Sequence, residues 1–149
     1  MPRYELELFA DYFQFYVQDD DEQYGDLSDA WTEEAVQRLL AVAEHAIGIG
    51  TVRNMDVPVF IEASDRLPVL EPTAWDRINE TSIICDTGRL VVAGCTDYFP
   101  DAFRIYVKPG SYDVIVAYRN LDEIAEDGLD GEDCYYIFLA PSHTPTKSD

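Results

Sequence analysis

Lysine is nearly missing from this chain. Only Lys108 and Lys147 occur among 149 residues, whereas 30 residues are acidic and the formal net charge is −20. A field of that sign repels nucleic-acid phosphates and acidic membrane surfaces, so we expect no direct nucleic acid and no membrane as ligands. The same field attracts a basic protein. A second interpretation stays open, because solubility, a salty host cytoplasm or a biased genome would also enrich acidic residues.

Long apolar runs and an apolar leader are missing too. No stretch of 18 apolar residues occurs, which excludes a transmembrane helix. The start, Met1 to Glu5, leads into acidic residues at alternate positions where a secretory signal needs an apolar block, and this predicts a cytoplasmic protein. Cys85, Cys95 and Cys134 are an odd number without CxxC spacing. They are predicted to be reduced, half-buried structural thiols.

Recognisable catalytic and cofactor motifs are missing as well. His45 and His143 are the only histidines, and no HExxH, GxSxG, phosphate-binding glycine loop or paired Cys/His set occurs. The acidic run from Asp19 resembles an EF-hand calcium loop, but Gly25 falls at the seventh position instead of the sixth and Gln23 takes the fifth. We therefore expect no catalytic residue, no metal and no cofactor. An unrecognised acid/base or metal-dependent hydrolase is the open enzymatic alternative.

What the chain does contain is a series of short alternating apolar segments, separated by turn residues about every ten positions. Between Tyr4 and Val17 the alternation slips by one residue near Ala10, which predicts one bent strand or two short strands. Only one helical pattern is visible. We predict a mostly β fold, a single-domain antiparallel β-sandwich of about eight strands with one short helix, over residues 1–141, and a disordered tail over 142–149.

Six of the strands are predicted to form three hairpins. The predicted turns are 53–56, placed at Asn54, then 86–88 with a positive φ at Gly88, and the Pro109-Gly110 pair. The flanking strands are Ala46 to Val52 with Val57 to Ala63, Arg77 to Cys85 with Arg89 to Gly94, and Phe103 to Lys108 with Tyr112 to Tyr118. A last strand runs from Cys134 to Leu139. Between Ser64 and Trp75, two prolines exclude a central strand.

The one helix is predicted to begin after Thr32, a good N-cap that precedes two glutamates. Apolar residues at helical spacing, from Val36 to Ala43, predict about three turns. Trp31 and Trp75 are predicted to have structural roles, because so aromatic a composition is more typical of a core than of a ligand cage.

Two acidic segments are the candidate partner-binding surfaces, since runs of like charge cannot bury themselves and must lie in solvated loops. The candidate contact residues are Asp19, Asp20, Asp21 and Glu22 in the first segment, and Asp127, Asp130, Glu132 and Asp133 in the second.

The stretch Trp31-Thr32-x-Glu34-Ala35, followed by Ala46-Ile47 and by Arg53-Asn54 before an apolar strand, resembles the middle of the competence protein J family. The likeness extends to Tyr12-Phe13-Gln14-Phe15-x-Val17 and to Pro109-Gly110-Ser111-Tyr112. Members of that family are small bacterial inhibitors of the DNA-entry nuclease. The resemblance implies an acidic inhibitor that binds and blocks a DNA-entry type nuclease by protein–protein contact. The alternative is a non-catalytic β-sandwich module that binds another protein or a small ligand, with its charge serving solubility.

Overall fold

Two five-stranded sheets face each other across an apolar core in the computed structural model, which describes residues 3–10, 13–20, 27, 30–52, 55–94, 102–122 and 131–142. The first sheet has the order β1-β5-β10-β9-β6 and the second has the order β3-β4-β2-β7-β8. Strands β5 and β10 are parallel, and the other pairs are antiparallel. The predicted β-sandwich is confirmed, with ten strands in the described residues instead of about eight.

The elements follow one another in a fixed order along the described chain. They are β1 (Arg3–Phe9), β2 (Gln14–Asp19), α1 (Glu33–Arg38), β3 (Leu40–Val42), β4 (Ala46–Gly50), β5 (Asp56–Ala63), a 3-10 turn (Pro72–Ala74), β6 (Arg77–Cys85), β7 (Arg89–Gly94), β8 (Phe103–Tyr106), β9 (Gly110–Arg119) and β10 (Cys134–Pro141).

The slip near Ala10 separates two strands that belong to different sheets. Strand β1 pairs with β5 in the first sheet, and β2 lies between β4 and β7 in the second. Leu8 on β1 and Phe15 on β2 both point into the core between the sheets. The chain therefore crosses the sandwich at the slip, and of the two predicted alternatives the structure has two short strands and not one bent strand.

None of the three predicted hairpins forms. Strands β4 and β5, β6 and β7, and β8 and β9 each lie in opposite sheets, so each short connection crosses from one sheet to the other. The period-2 alternation specifies which side of a strand is buried, but both sheets bury a face against the same core. Gly88 has the predicted positive φ, at 81°, within such a crossing. Arg53 and Asn54 lie outside the described residues.

The predicted three-turn helix is also wrong beyond its second turn. Thr32 caps the helix as expected, its hydroxyl accepting from the Ala35 N–H at 3.1 Å, but α1 ends at Arg38. Leu39 adopts a left-handed conformation (φ 63°), and residues 40–42 then pair with β4 as strand β3.

Three side chains from the first sheet explain why the helix ends there. Arg77 donates to the Gln37 carbonyl, Asn79 to the Arg38 carbonyl at 2.8 Å, and the Tyr118 hydroxyl to the Leu39 carbonyl. These donors satisfy carbonyls that a longer helix would have bonded internally. Tertiary hydrogen bonds therefore override the helical periodicity of the sequence.

Trp31 and α1 cover the outer face of the second sheet, where β4 presents glycine. A Cβ on Gly48 would lie 2.8 Å from Cζ2 of Trp31, and a Cβ on Gly50 would lie 3.0 Å from Cα of Leu39. Trp31 thus has the structural role predicted for it, although it packs outside the sandwich and not between the sheets. Among the described residues, no helix is long and apolar enough to span a membrane.

Replacing Gly48 by alanine should lower the free energy of unfolding by about 1–3 kcal/mol, because the added methyl group overlaps the Trp31 ring. Chemical denaturation would measure this. A Trp31→Phe background removes the closest contact, although Leu27 Cδ1 stays 3.1 Å from the added Cβ, so the same substitution should cost less there. An equal cost in both backgrounds would contradict the packing described for this ring.

Candidate functional site

Asp19, predicted to lie in a solvated acidic loop, is instead the fully buried last residue of β2. Its carboxylate accepts from the Asp86 N–H at 2.8 Å, the Thr87 N–H at 3.1 Å and the Thr87 hydroxyl at 2.7 Å, with the Cys85 thiol at 3.6 Å. The prediction of a solvated position was therefore wrong for Asp19. Donors from a turn 66 or more residues away satisfy the charge.

These donors also set the ionisation of the Asp19 carboxyl group. Burial alone would raise its pKa, but the hydrogen bonds from Thr87, Asp86 and Cys85 outweigh burial and hold the pKa below the ordinary value of 3.8. Burial, followed by the negative charge of Asp19, raises the pKa of the Cys85 thiol. A buried thiol with a raised pKa is a poor nucleophile, which favours the structural role predicted for this cysteine.

Asp20 pairs with two arginines, Arg89 on β7 and Arg104 on β8. Its carboxylate lies 2.8 Å from Arg89 Nε and 2.9 Å from Arg104 Nε, and Arg104 Nη2 adds a third contact at 3.2 Å. The hydrogen bond from Arg104, together with Arg89, holds the pKa of Asp20 below 3.8 against the opposing effect of burial. The side chain is only 13% exposed, so its charge interacts mainly with these two arginines and little with solvent.

His45 lies beside Asp19 at this end of the sandwich. Its Nδ1 is 3.1 Å from the Ile84 carbonyl, 3.5 Å from Asp19 Oδ2 and 3.9 Å from Asp86 Oδ2. These three side chains are close enough to be considered as ligands of a metal ion. A carbonyl oxygen only accepts, so a hydrogen bond to Ile84 keeps the proton on Nδ1 and leaves the lone pair on Nε2, which faces Glu44 at 3.6 Å. We assign the cluster a structural role in joining the two sheets.

The second acidic segment is anchored at the opposite end of β6. Asp133 is fully buried and accepts from the Tyr135 hydroxyl at 2.6 Å, and that hydroxyl accepts from the Val52 N–H at 2.9 Å. A solvated position was therefore wrong for Asp133 as well. Glu132 is exposed, and the Asn120 amide binds its main-chain carbonyl at 3.0 Å.

The structure therefore separates the eight candidate contact residues into three groups. Asp19, Asp20 and Asp133 are held by contacts inside the protein, and Glu132 is exposed. Asp21, Glu22, Asp127 and Asp130 lie outside the described residues. The first segment begins beside the Cys85 end of β6 and the second begins beside its Arg77 end, and the nine residues of this strand span about 26 Å at 3.3 Å per residue.

An apolar groove lies beside α1, on the outer face of the second sheet. Its volume is about 490 Å³, and Gly50 forms part of its floor. The other lining residues are Phe13, Gln14, Trp31, Val36, Leu39 and Thr51. Phe13 is 53% exposed and Val36 is 55% exposed, so two large apolar side chains stand open to solvent at one place.

The backbone holds Phe13 in an unusual conformation. Its φ is 61°, a left-handed value that bulky residues rarely adopt. The Phe13 N–H donates to the Ala10 carbonyl at 3.0 Å, and the Phe13 carbonyl accepts from the Thr51 N–H at 2.9 Å. In the groove wall, the Nε1 of Trp31 is shielded from solvent and meets no acceptor within the described part of the chain.

A smaller pit lies on the outer face of the first sheet, with a volume of about 210 Å³. Tyr136 stacks on Phe60 there with 4.6 Å between ring centroids, and Trp75 packs edge-on against Tyr136 at 4.9 Å. The Arg119 guanidinium lies 4.0 Å from the Trp75 ring centroid and donates through Nε to the Ala74 carbonyl. Because Arg119 already occupies the Trp75 face, this cluster fastens the 64–76 connection to the sheet.

The sequence did not indicate the groove. One local signal existed, because the helix buries Ala35 and exposes Val36, so an apolar residue stands on the outward face of a six-residue helix. The left-handed backbone at Phe13 and its proximity to Trp31 depend on the tertiary structure, and no pattern of residue types specifies them.

The sequence matches no protein-family model and no curated protein. Two solved structures are similar along almost their whole length. ComJ, an inhibitor of the DNA degrading activity of NucA, from Bacillus subtilis, aligns with a TM-score of 0.69 and 17% identity, covering 95% of this chain and 96% of ComJ. This chain has a ComJ-like fold.

The second structure is described as crocagin biosynthetic gene J. It aligns with a TM-score of 0.63 and 20% identity, covering 96% of this chain and all of the other. At these identities the likeness is one of fold. The resemblance to the competence protein J family is thus confirmed for the architecture.

Replacing Asp19 by asparagine should lower the free energy of unfolding by at least about 2 kcal/mol at pH 7, because an amide cannot accept from all the donors that face the carboxylate. Asp86→Asn is the matched control, since the Asp86 side chain is 66% exposed; its effect should stay within about 0.5 kcal/mol.

The effect of Asp19→Asn should also depend on pH. A folded pKa below 3.8 means that the carboxylate stabilises the protein above pH 3.8, and that this contribution is lost as the pH falls through the folded value. The difference between wild type and Asp19→Asn should therefore shrink below pH 3.8. A difference that stays constant from pH 7 to pH 3 would refute this account of the buried charge.

Proposed function

We propose that this protein is an inhibitor that binds and blocks a DNA-entry type nuclease by protein–protein contact. The observation that carries the proposal is the likeness of fold to ComJ over 95% of the chain. ComJ is described as an inhibitor of the DNA degrading activity of NucA, and we extend that role to this chain. The protein acts by binding and not by catalysis, in the cytoplasm of a bacterium, without a cofactor.

The charge of the chain supports this proposal. A nuclease that holds DNA must present positive charge to the phosphates, and a protein of net charge −20 is attracted to the same surface. Such attraction speeds the encounter of the two proteins and falls with ionic strength. An acidic inhibitor can therefore compete with DNA for the basic cleft of the enzyme.

The contacts in this proposal come from the acidic segments. Asp21, Glu22, Asp127, Asp130 and Glu132 are the proposed partner-binding residues. The other three candidates act indirectly. The carboxylates of Asp19, Asp20 and Asp133 make contacts inside the protein that hold the ends of the two segments at the sheets.

A second candidate is a non-catalytic binding module for another protein or a small ligand. The observation in its favour is that the protein described as crocagin biosynthetic gene J has a similar fold, with a TM-score of 0.63. In that case the acidic charge serves solubility, and no nuclease is inhibited.

Purified protein titrated into a DNA-entry type nuclease from its own host should stop DNA cleavage at a ratio near one to one. The apparent affinity should weaken as salt rises, because screening shortens the reach of the acidic field. A DNA-cleavage assay at two salt concentrations measures both effects. Undiminished cleavage at a large excess of the protein would contradict the inhibitor function and leave the binding module.

Neutralising the two acidic segments separately should have unequal effects on association. Asp21→Asn with Glu22→Gln, and Asp127→Asn with Asp130→Asn, remove two charges each, so each double variant is the control for the other. The pair nearer the bound nuclease should slow association several-fold at low salt, and the other pair should act less. Stopped-flow mixing measures the rates. Equal effects would mean that only the overall charge steers the encounter.

A further inference from the structure

We propose that the groove beside α1 receives an apolar side chain of the nuclease that is flanked by lysine or arginine. This inference rests on the proposed inhibitor function and deepens it, because it assigns the place at which the partner is anchored. The groove has the properties of a binding site that is formed in advance and is apolar inside and acidic at its margin.

The apolar part of the argument is the exposure of Phe13 and Val36 across one concavity. Isolated exposed apolar residues are common, but two large ones facing a groove of about 490 Å³ form a local apolar patch. A side chain that enters the groove would remove both from water. Burial of this kind is typical of the few residues that dominate binding energy at protein interfaces.

The groove is formed in advance by contacts that do not involve a partner. Trp31 packs on Gly48, and Leu39 is held at the helix end by the Tyr118 hydroxyl. Phe13 is fixed in its left-handed conformation by hydrogen bonds to Ala10 and Thr51. Backbone strain of this kind costs about 1–3 kcal/mol and is concentrated at functional sites. A rigid groove loses little conformational entropy when it is filled.

The position of the groove in the sandwich determines the charge around it. Val52, which directly follows the lining residue Thr51, donates to the Tyr135 hydroxyl, and that hydroxyl donates to Asp133. The groove therefore lies at the end of the sandwich from which the second acidic segment leaves. Residues 120–133 contain seven acidic residues and no lysine or arginine.

Exposed carboxylates of the described residues add to this charge at the same end of the sandwich, whereas the basic residue of α1, Arg38, lies in the last turn and donates to the Leu40 carbonyl. Glu33 and Glu34 are exposed in the first turn of α1, and Glu33 shares a helix face with Val36 at i+3. Glu132 and Asp122 are exposed at the roots of the second segment. An occupant with basic residues beside its apolar anchor complements this margin, whereas an acidic or purely apolar occupant does not.

Val36→Asp places a charge in the groove and should weaken binding of the nuclease at least about 30-fold, mainly through faster dissociation. Val69→Asp is the matched control, because Val69 is fully exposed in the connection between β5 and β6, two strands of the other sheet. Its effect should stay within about twofold. Surface plasmon resonance with immobilised nuclease measures the rates, and thermal unfolding establishes that both variants are folded.

Phe13→Gly is a second variant that keeps the test decisive if Val36→Asp does not fold. Glycine adopts a φ of 61° without strain, so the fold is retained while the ring at the groove is removed. Binding should weaken about tenfold or more in this variant.

The outcomes separate the groove from the function. The proposal is supported if the wild type inhibits the nuclease, the folded groove variants bind it more weakly, and Val69→Asp binds it as the wild type does. Inhibition that Val36→Asp and Phe13→Gly leave unchanged overturns the groove and keeps the inhibitor function. A wild-type protein that neither binds nor inhibits the nuclease overturns the inhibitor function, and the groove assignment falls with it.

Discussion

The buried carboxylate of Asp19 is the interaction on which one end of this molecule depends. It lies at the end of a second-sheet strand and binds main-chain and side-chain donors of the turn between β6 and β7, which crosses from the first sheet to the second. A fully buried charge is stable only when donors surround it, so the position of the turn and the ionisation of Asp19 depend on each other. Asp20 extends the same anchorage to β7 and β8 through Arg89 and Arg104.

At the opposite end of the molecule, two tyrosine hydroxyl groups make the contacts between the sheets. Tyr118 on β9 reaches the end of α1, and Tyr135 on β10 connects the residues after β4 to Asp133. Both tyrosines are fully buried and pack edge-on with 5.9 Å between ring centroids, so each supplies apolar area to the core and one polar contact across it. This arrangement explains how a helix of six residues, too short to be stable alone, keeps a defined position beside the groove.

The sequence predicted the elements far better than their partners. The bounds of β6 and β7 were predicted residue for residue, because alternation and turn residues are local properties. The pairing was wrong at all three hairpins, since a strand buried on one face fits either sheet of a sandwich. The prediction that the acidic run at Asp19 is solvated throughout was wrong for Asp19. The donors that bind its carboxylate are 66 to 68 residues away in the chain, so no local pattern indicates them. The groove was not predicted, because it depends on a left-handed Phe13 and on the early end of α1.

The acidic composition therefore has two physical roles in one chain. Asp19, Asp20 and Asp133 hold the frame through hydrogen bonds and ion pairs that are withdrawn from solvent. Other acidic residues in the described part of the chain are exposed, among them Glu33, Glu34 and Glu132, and charge of this sign repels nucleic acid. Long-range charge of this kind speeds an encounter but does not fix an orientation, whereas an apolar groove acts only at contact and does fix one. In the inhibitor function proposed above, the acidic charge would speed the encounter and the groove would fix the orientation of the bound nuclease.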